Sequence, residues 1–147
     1  MGVGMAMSAL LASCADDESF STSRGDVLSF SVDTLKMDTT FSNVPTPTRS
    51  FWVYNRTGKA LRCQSVRLEN GNQKGYRVNV DGSYLGTEAG FLTQNVEIRK
   101  GDSIRVYVEL TSAMQNSEEP QLVSDNLVFA LESGVEQKVN LRAFSWD

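Results

Sequence analysis

Strict alternation of apolar and polar residues constrains this chain more than any other feature. Ile104, Val106, Val108 and Leu110 alternate with Arg105, Tyr107 and Glu109. Tyr76, Val78 and Val80 alternate with Arg77, Asn79 and Asp81; Val139, Leu141 and Ala143 alternate with Lys138, Asn140 and Arg142; Leu28, Phe30 and Val32 alternate with Ser29, Ser31 and Asp33. Side chains along a strand point to opposite faces in turn. Each segment therefore predicts a strand with one face on a core and one in water, as in antiparallel sheets. No stretch from Asp26 onward carries a helical apolar period.

Two segments are apolar on both faces, Phe51-Trp52-Val53-Tyr54 and Leu127-Val128-Phe129-Ala130-Leu131. They read as strands covered on both sides, or as strands with a partly exposed aromatic face. Turn signals separate the strands: Asn43-Val44-Pro45-Thr46-Pro47, Asn55-Arg56-Thr57-Gly58, Asn70-Gly71-Asn72, Asp81-Gly82, Lys100-Gly101-Asp102 and Ser133-Gly134. Asn and Gly tolerate the positive φ that tight turns need. Lys100-Gly101-Asp102 reads as a hairpin joining Val96-Glu97-Ile98 to Ser103–Leu110, and residues 111–120 as the most polar loop. Seven to eight short strands at this spacing predict an all-β, antiparallel sandwich of immunoglobulin-like type, one domain over residues 26–147.

Charge and missing residue types exclude several function classes. Fourteen basic residues against 18 acidic ones leave a net charge of −4, with no Lys/Arg cluster, so no nucleic-acid partner is expected. The chain has no histidine, which removes Ser-His-Asp and Cys-His nucleophilic machinery and the usual zinc ligands. The acidic clusters, Asp16-Asp17-Glu18 and Glu118-Glu119, fall in segments too flexible to hold a glycosidase carboxylate pair. The glycines are spaced as turns, not as a phosphate loop. The expectation is no enzyme, no catalytic residue, no metal and no cofactor. Cys63, between Leu61 and Val66, reads as a buried small hydrophobe, since no local His or helix start would lower its pKa.

Leu10-Leu11-Ala12-Ser13-Cys14, followed by Ala15-Asp16-Asp17-Glu18, resembles the lipobox of bacterial lipoproteins. That resemblance makes residues 1–13 a lipoprotein signal and Cys14 the acylated first residue of the mature protein. Residues 14–25 form an acidic, flexible tether, too poor in large apolar groups to order themselves. The apolar run Val3–Ala12 is too short to span a bilayer. No basic residue precedes Arg24, so the expectation is a true start upstream of Met1. The acidic run also resembles the export signal of Bacteroidetes surface lipoproteins, or is a solvated charge run. The implied location is a bacterial outer membrane, lipid-anchored and surface-exposed, with the membrane as partner through the N-terminal lipid.

The strand order, from Leu28-Ser29-Phe30-Ser31 through Thr48–Asn55 and Lys59–Leu68 to Ile98–Glu109, resembles a known domain. It is the immunoglobulin-like domain near the N-terminus of Bacteroidetes surface lipoproteins of unknown function. The chain is similar, more distantly, to Hydin-like and choice-of-anchor modules. The resemblance covers about Val27 to Ala143 and carries strand and turn patterns only, so it transfers no site residues. In the related lipoproteins a parallel β-helix often follows, which leaves a short stand-alone member or a truncated longer protein as alternatives.

Aromatics supply the one binding hint. Trp52, Tyr54, Tyr107, Phe144 and Trp146 fall at or near outward positions, where rings stack on sugars or fill a second layer. Trp52, Tyr54 and Tyr107 are the candidate ligand contacts, for a glycan or a protein partner. Asp33-Thr34-Leu35, Asp38-Thr39-Thr40 and Asp102-Ser103-Ile104 resemble Bacteroidetes O-glycosylation acceptors, with Thr34, Thr39 and Ser103 as the modified residues. Such Asp/Thr/Ser mixtures also end strands. The expected function is a non-catalytic, lipid-anchored binding or spacer module; a small glycan-binding lipoprotein and a structural subunit of a surface assembly are the alternatives.

Overall fold

The computed structural model describes residues 19–147. Residues 1–18, with Cys14, the signal-like segment and most of the acidic tether, lie outside the described residues. The described strands are β1 (Ser29–Phe30), β2 (Thr34–Phe41), β3 (Arg49–Tyr54), β4 (Leu61–Leu68) and β5 (Tyr76–Val80), then β6 (Ser83–Tyr84), β7 (Leu92–Ile98), β8 (Ser103–Leu110), β9 (Gln121–Leu131) and β10 (Glu136–Trp146). They form two sheets of five: a front sheet, β1-β3-β8-β5-β6, and a back sheet, β2-β10-β9-β4-β7.

The alternation does what it promised. From the front sheet Phe51, Val53, Ile104, Val106, Val108, Val78 and Val80 face inward, against Leu61, Val66, Leu127, Phe129, Leu131, Val139 and Leu141 of the back sheet. Each such side chain stabilises the fold by about 1.5–3 kcal/mol when fully buried. Phe30 packs on Phe129 across the layers, ring centroids 5.1 Å apart. A polar bond crosses the core: the hydroxyl of fully buried Tyr76 donates to the Val123 carbonyl at 2.7 Å. Burial, chiefly, raises the pKa of that phenol.

Four details depart from the sequence expectation. Ten described strands replace seven to eight, because the sequence pattern did not reveal β2, at the edge of the back sheet, or two-residue β6, at the edge of the front sheet. One strand pairing, β2 with β10, is parallel, while every other pairing between the described strands is antiparallel. Lys100-Gly101-Asp102 is no hairpin: β7 pairs with β4 in the back sheet, and both edges of β8 are taken by β3 and β5. The turn instead carries the chain between layers, fastened by Asn55 N–H to the Asp102 carbonyl and Gly101 N–H to the Asn55 carbonyl, both 2.9 Å. Residues 20–25, assigned to the tether by composition, lie against the body. Phe20 bridges to Ala60, its ring lies 3.9 Å from the Arg62 guanidinium, and Ser21 N–H donates to the Ala60 carbonyl.

The Asp81-Gly82 signal is a two-residue hairpin between β5 and β6, with both residues at positive φ (50° and 94°). Gly75 answers a different need. A Cβ there would sit 2.1 Å from the Thr111 carbonyl oxygen, at a φ of +93°.

Candidate binding face

The outer face of the front sheet collects the chain's most unusual side chains. On β3, Ser50, Trp52 and Tyr54 point outward; on β8, Ser103, Arg105, Tyr107 and Glu109 do so. The register sets Trp52 opposite Arg105, and Ser50 opposite Tyr107. On the other side of β8, Tyr107 faces Asn79 and Glu109 faces Arg77, while Asn79 faces Tyr84 on β6. Trp52 is 39 % exposed, Tyr107 41 % and Tyr84 71 %, so the rings are open to solvent although their strands are locked.

Arg105 organises the middle of this face. Its guanidinium carbon lies 4.7 Å from the Trp52 ring centroid and 5.5 Å from that of Tyr107. Its Nε–H donates to Ser50 Oγ at 3.2 Å. A guanidinium above an aromatic face gains about 0.5–1 kcal/mol at an exposed site. The charge is thereby held beside both rings, on an exposed residue. Tyr54 is half-buried and carries Arg56 over its ring at 4.6 Å, so a second cation–aromatic pair extends the row.

Beside Tyr107 lies a shallow cleft of about 420 Å³, lined by Thr48, Arg77, Asn79, Tyr84, Tyr107 and Glu109. Glu109 accepts from Thr48 Oγ1 at 2.7 Å and from Arg77 at 2.9 Å. The Thr48 bond first, then Arg77, holds its carboxyl below the ordinary value. The cleft floor is thus polar and internally neutralised.

Trp52 and Tyr107, read from the sequence as outward positions, lie on one outward face, with Tyr54 beside them and less of its ring exposed. Sequence reading missed Arg105 and Tyr84. The signal for Arg105 was present, since it is two residues before Tyr107 on the polar side of the alternation. Its seat between two rings needs the β3–β8 register, which the pattern does not contain. Thr34 and Thr39 lie within β2, and Ser103 opens β8; only Thr39 is exposed. Cys63 is 1 % exposed, and burial pushes its thiol up to about 12.

A second exposed surface lies at one end of the back sheet. Trp146 pairs with Phe41, and Phe144 with Leu122; all four point outward, 41–58 % exposed. The adjoining 111–120 loop is tied down by Asp147, whose carboxylate accepts from Gln115 N–H, Ser117 N–H and Ser42 Oγ–H at 2.7–2.8 Å.

No family model matches the chain, and no curated protein matches it. Among solved structures it is similar to a protein of unknown function from Porphyromonas gingivalis W83, at 15 % identity and a TM-score of 0.56, over 80 % of this chain and 46 % of that one. The chain therefore spans about half the length of that relative. It is also similar to the N-terminal domain of PorA, at 12 % identity and a TM-score of 0.50, over 81 % of this chain and 97 % of that one. A PapD-like domain of human CEP192 follows at 9 % identity and a TM-score of 0.48, over 90 % and 93 %. At such identities the first two likenesses speak to the fold alone, and the fold is an immunoglobulin-like β-sandwich.

Proposed function

We propose that this protein is a non-catalytic binding module, held at a bacterial outer membrane by lipid on Cys14, which meets a saccharide with the outer face of its front sheet. The observation that carries the reading is the open row Trp52, Arg105, Tyr107 and Tyr84 on a face whose strands are locked from behind. A contiguous row of exposed rings, unlike single scattered ones, marks an interaction surface. Flat apolar rings beside polar side chains suit a sugar, which has an apolar ring face and a hydroxyl rim. The reading leaves chemistry out because the chain has no histidine and the face's own carboxylate, Glu109, is engaged by Thr48 and Arg77. The lipobox-like segment supports the anchor. Each buried acyl CH₂ contributes about 0.8 kcal/mol, so two or three chains hold where one does not.

Two measurements test the halves separately. Cys14→Ser should move the protein from the membrane to the soluble fraction of its host; retention in the membrane refutes the anchor. Affinity gel electrophoresis of the full-length Cys14→Ser protein should show retardation by a polysaccharide. Retardation that survives alanine at Trp52, Tyr54 and Tyr107 together rules out this face.

The exposed cluster Phe41, Leu122, Phe144 and Trp146, beside β2, the edge strand of the back sheet among the described residues, favours a second reading: a structural subunit that assembles with another chain through that end. A strict monomer in cross-linking and size-exclusion experiments at high concentration would count against it.

A further inference from the structure

We infer that the saccharide is acidic, and that Arg105 is the residue that recognises its carboxylate; this rests on the saccharide reading of the front face. Five other described cations are paired with carboxylates. Arg105 is set apart not by lacking one, which Arg24, Lys36, Arg56 and Lys59 also lack among the described ion pairs, but by its seat between two rings. Arg49 pairs with Asp38, Arg62 with Glu97 and Glu132, Arg67 with Glu136, Arg77 with Glu109, and Lys138 with Glu69. In a chain with more acids than bases, a carboxylate neutralises each of these. Among the described residues no carboxylate pairs with Arg105. Its partners are two ring faces and one serine hydroxyl.

That arrangement is what anion recognition requires. The planar guanidinium presents its donors in a fork that matches a carboxylate, and it binds best when its orientation is already fixed. Trp52 and Tyr107 flank the guanidinium, and Ser50 takes Nε, leaving both terminal amino groups without a hydrogen-bond partner among the described residues. The rings that flank the cation are also the platforms for the sugar. A uronate or sialate unit stacked beside Arg105 brings its carboxylate to the guanidinium edge. Arg56 over Tyr54, also without a carboxylate partner among the described residues, adds a second positive charge along the same row. From β3 to β6 is three strand steps, about 14 Å at ~4.8 Å each, which fits a short oligosaccharide better than one ring. The Arg77–Glu109 pair and Asn79 then line the cleft where neighbouring hydroxyls fall.

The test uses the full-length Cys14→Ser protein and two matched panels. Polygalacturonate, alginate, hyaluronan and polysialate form the acidic panel; fully methyl-esterified polygalacturonate, dextran and mannan form the neutral one. The expected result is binding to at least one acidic polymer. That binding should weaken tenfold or more with Arg105→Gln and should not be restored by Arg105→Lys, which lacks the fork. Esterified polygalacturonate should bind at least tenfold more weakly than its acid if that polymer is the one selected. Neutral polymers bound as well as acidic ones, with no effect of Arg105→Gln, overturn this inference and leave the saccharide reading intact. Acidic binding unchanged by Arg105→Gln removes Arg105 from the role. No binding to either panel, or preference for oligothymidylate over every saccharide, overturns both. Arg105 is exposed, so unchanged circular dichroism should accompany each variant.

Discussion

Replacing Asn55 by alanine should be among the most damaging single changes in this fold, and the reason can be counted. Asn55 is 0 % exposed. Its Nδ2 donates to the carbonyls of Lys59 and Ile98, each at 2.8 Å. Its Oδ1 accepts from Thr57 N–H at 3.0 Å and Thr57 Oγ1–H at 2.7 Å. The side chain thus ties the end of β3, in the front sheet, to the end of β7 and the entry of β4, in the back sheet. Alanine removes all four bonds. Once Asn55 is gone, the single Thr57 hydroxyl proton is free to donate to the Lys59 carbonyl, 2.8 Å away, and Thr57 N–H can turn to water, so those losses are small. The Ile98 carbonyl loses a fully buried partner, at about 1–3 kcal/mol. With about 0.5–1 kcal/mol for each of the other three, the expected loss is about 2.5–6 kcal/mol, a large part of the roughly 5–15 kcal/mol that holds a domain. The assay is urea unfolding followed by circular dichroism. At about 2 kcal/mol/M for the slope, the midpoint should fall by roughly 1–3 M. Asn55→Asp keeps the acceptor, removes both donors and sets a buried charge against two carbonyls; at neutral pH it should be no better than alanine. A loss below about 1 kcal/mol for Asn55→Ala, or near-native stability for Asn55→Asp, would refute the clamp.

Gly75→Ala should cost more than about 2 kcal/mol, because the new methyl meets the Thr111 carbonyl oxygen at a backbone angle that disfavours any side chain; thermal unfolding would measure it. Asp125, 1 % exposed, has its carboxyl raised chiefly by burial, against backbone donors at Asn70 and Asn126. A raised folded pKa contributes stability below the ordinary carboxylate value, about 3.9, which is lost as pH rises through the folded one. The stability of Asp125→Asn relative to the parent should therefore improve from pH 4 to pH 7, and urea midpoints across that range that run parallel would contradict it. Cys63 is the one thiol left in a Cys14→Ser background, so a thiol reagent should modify the protein only as fast as it unfolds; rapid labelling in native buffer would show an open site.

The parts of this fold that follow from side-chain alternation were legible, and those that follow from pairing were not. β3, β5, β8 and β10 stand out because each buries every second residue. β2 was missed because its inward positions change parity: Leu35 and Met37 are buried, then Thr40. The cause is a bulge at Asp38, at a φ of 65°, where the pairing with β10 passes from Arg142 opposite Lys36 to Phe144 opposite Thr39. An extra residue in one strand erases the period that would reveal it. The turn at Lys100-Gly101-Asp102 carries a hairpin's composition, but composition is silent on whether two strands share a sheet. The binding face divides the same way. Outward aromatics can be counted along one strand, whereas the Trp52–Arg105–Tyr107 stack exists only across two.

The most direct test of the account reads the face itself. The chain has two tryptophans, so Trp146→Phe in the full-length Cys14→Ser protein leaves Trp52 as the sole indole reporter. Titrating the selected acidic oligosaccharide should change its emission along a saturable curve, and Arg105→Gln should shift that curve to tenfold higher concentration or beyond. Emission that stays constant while independent binding saturates would place the ligand elsewhere and contradict the account.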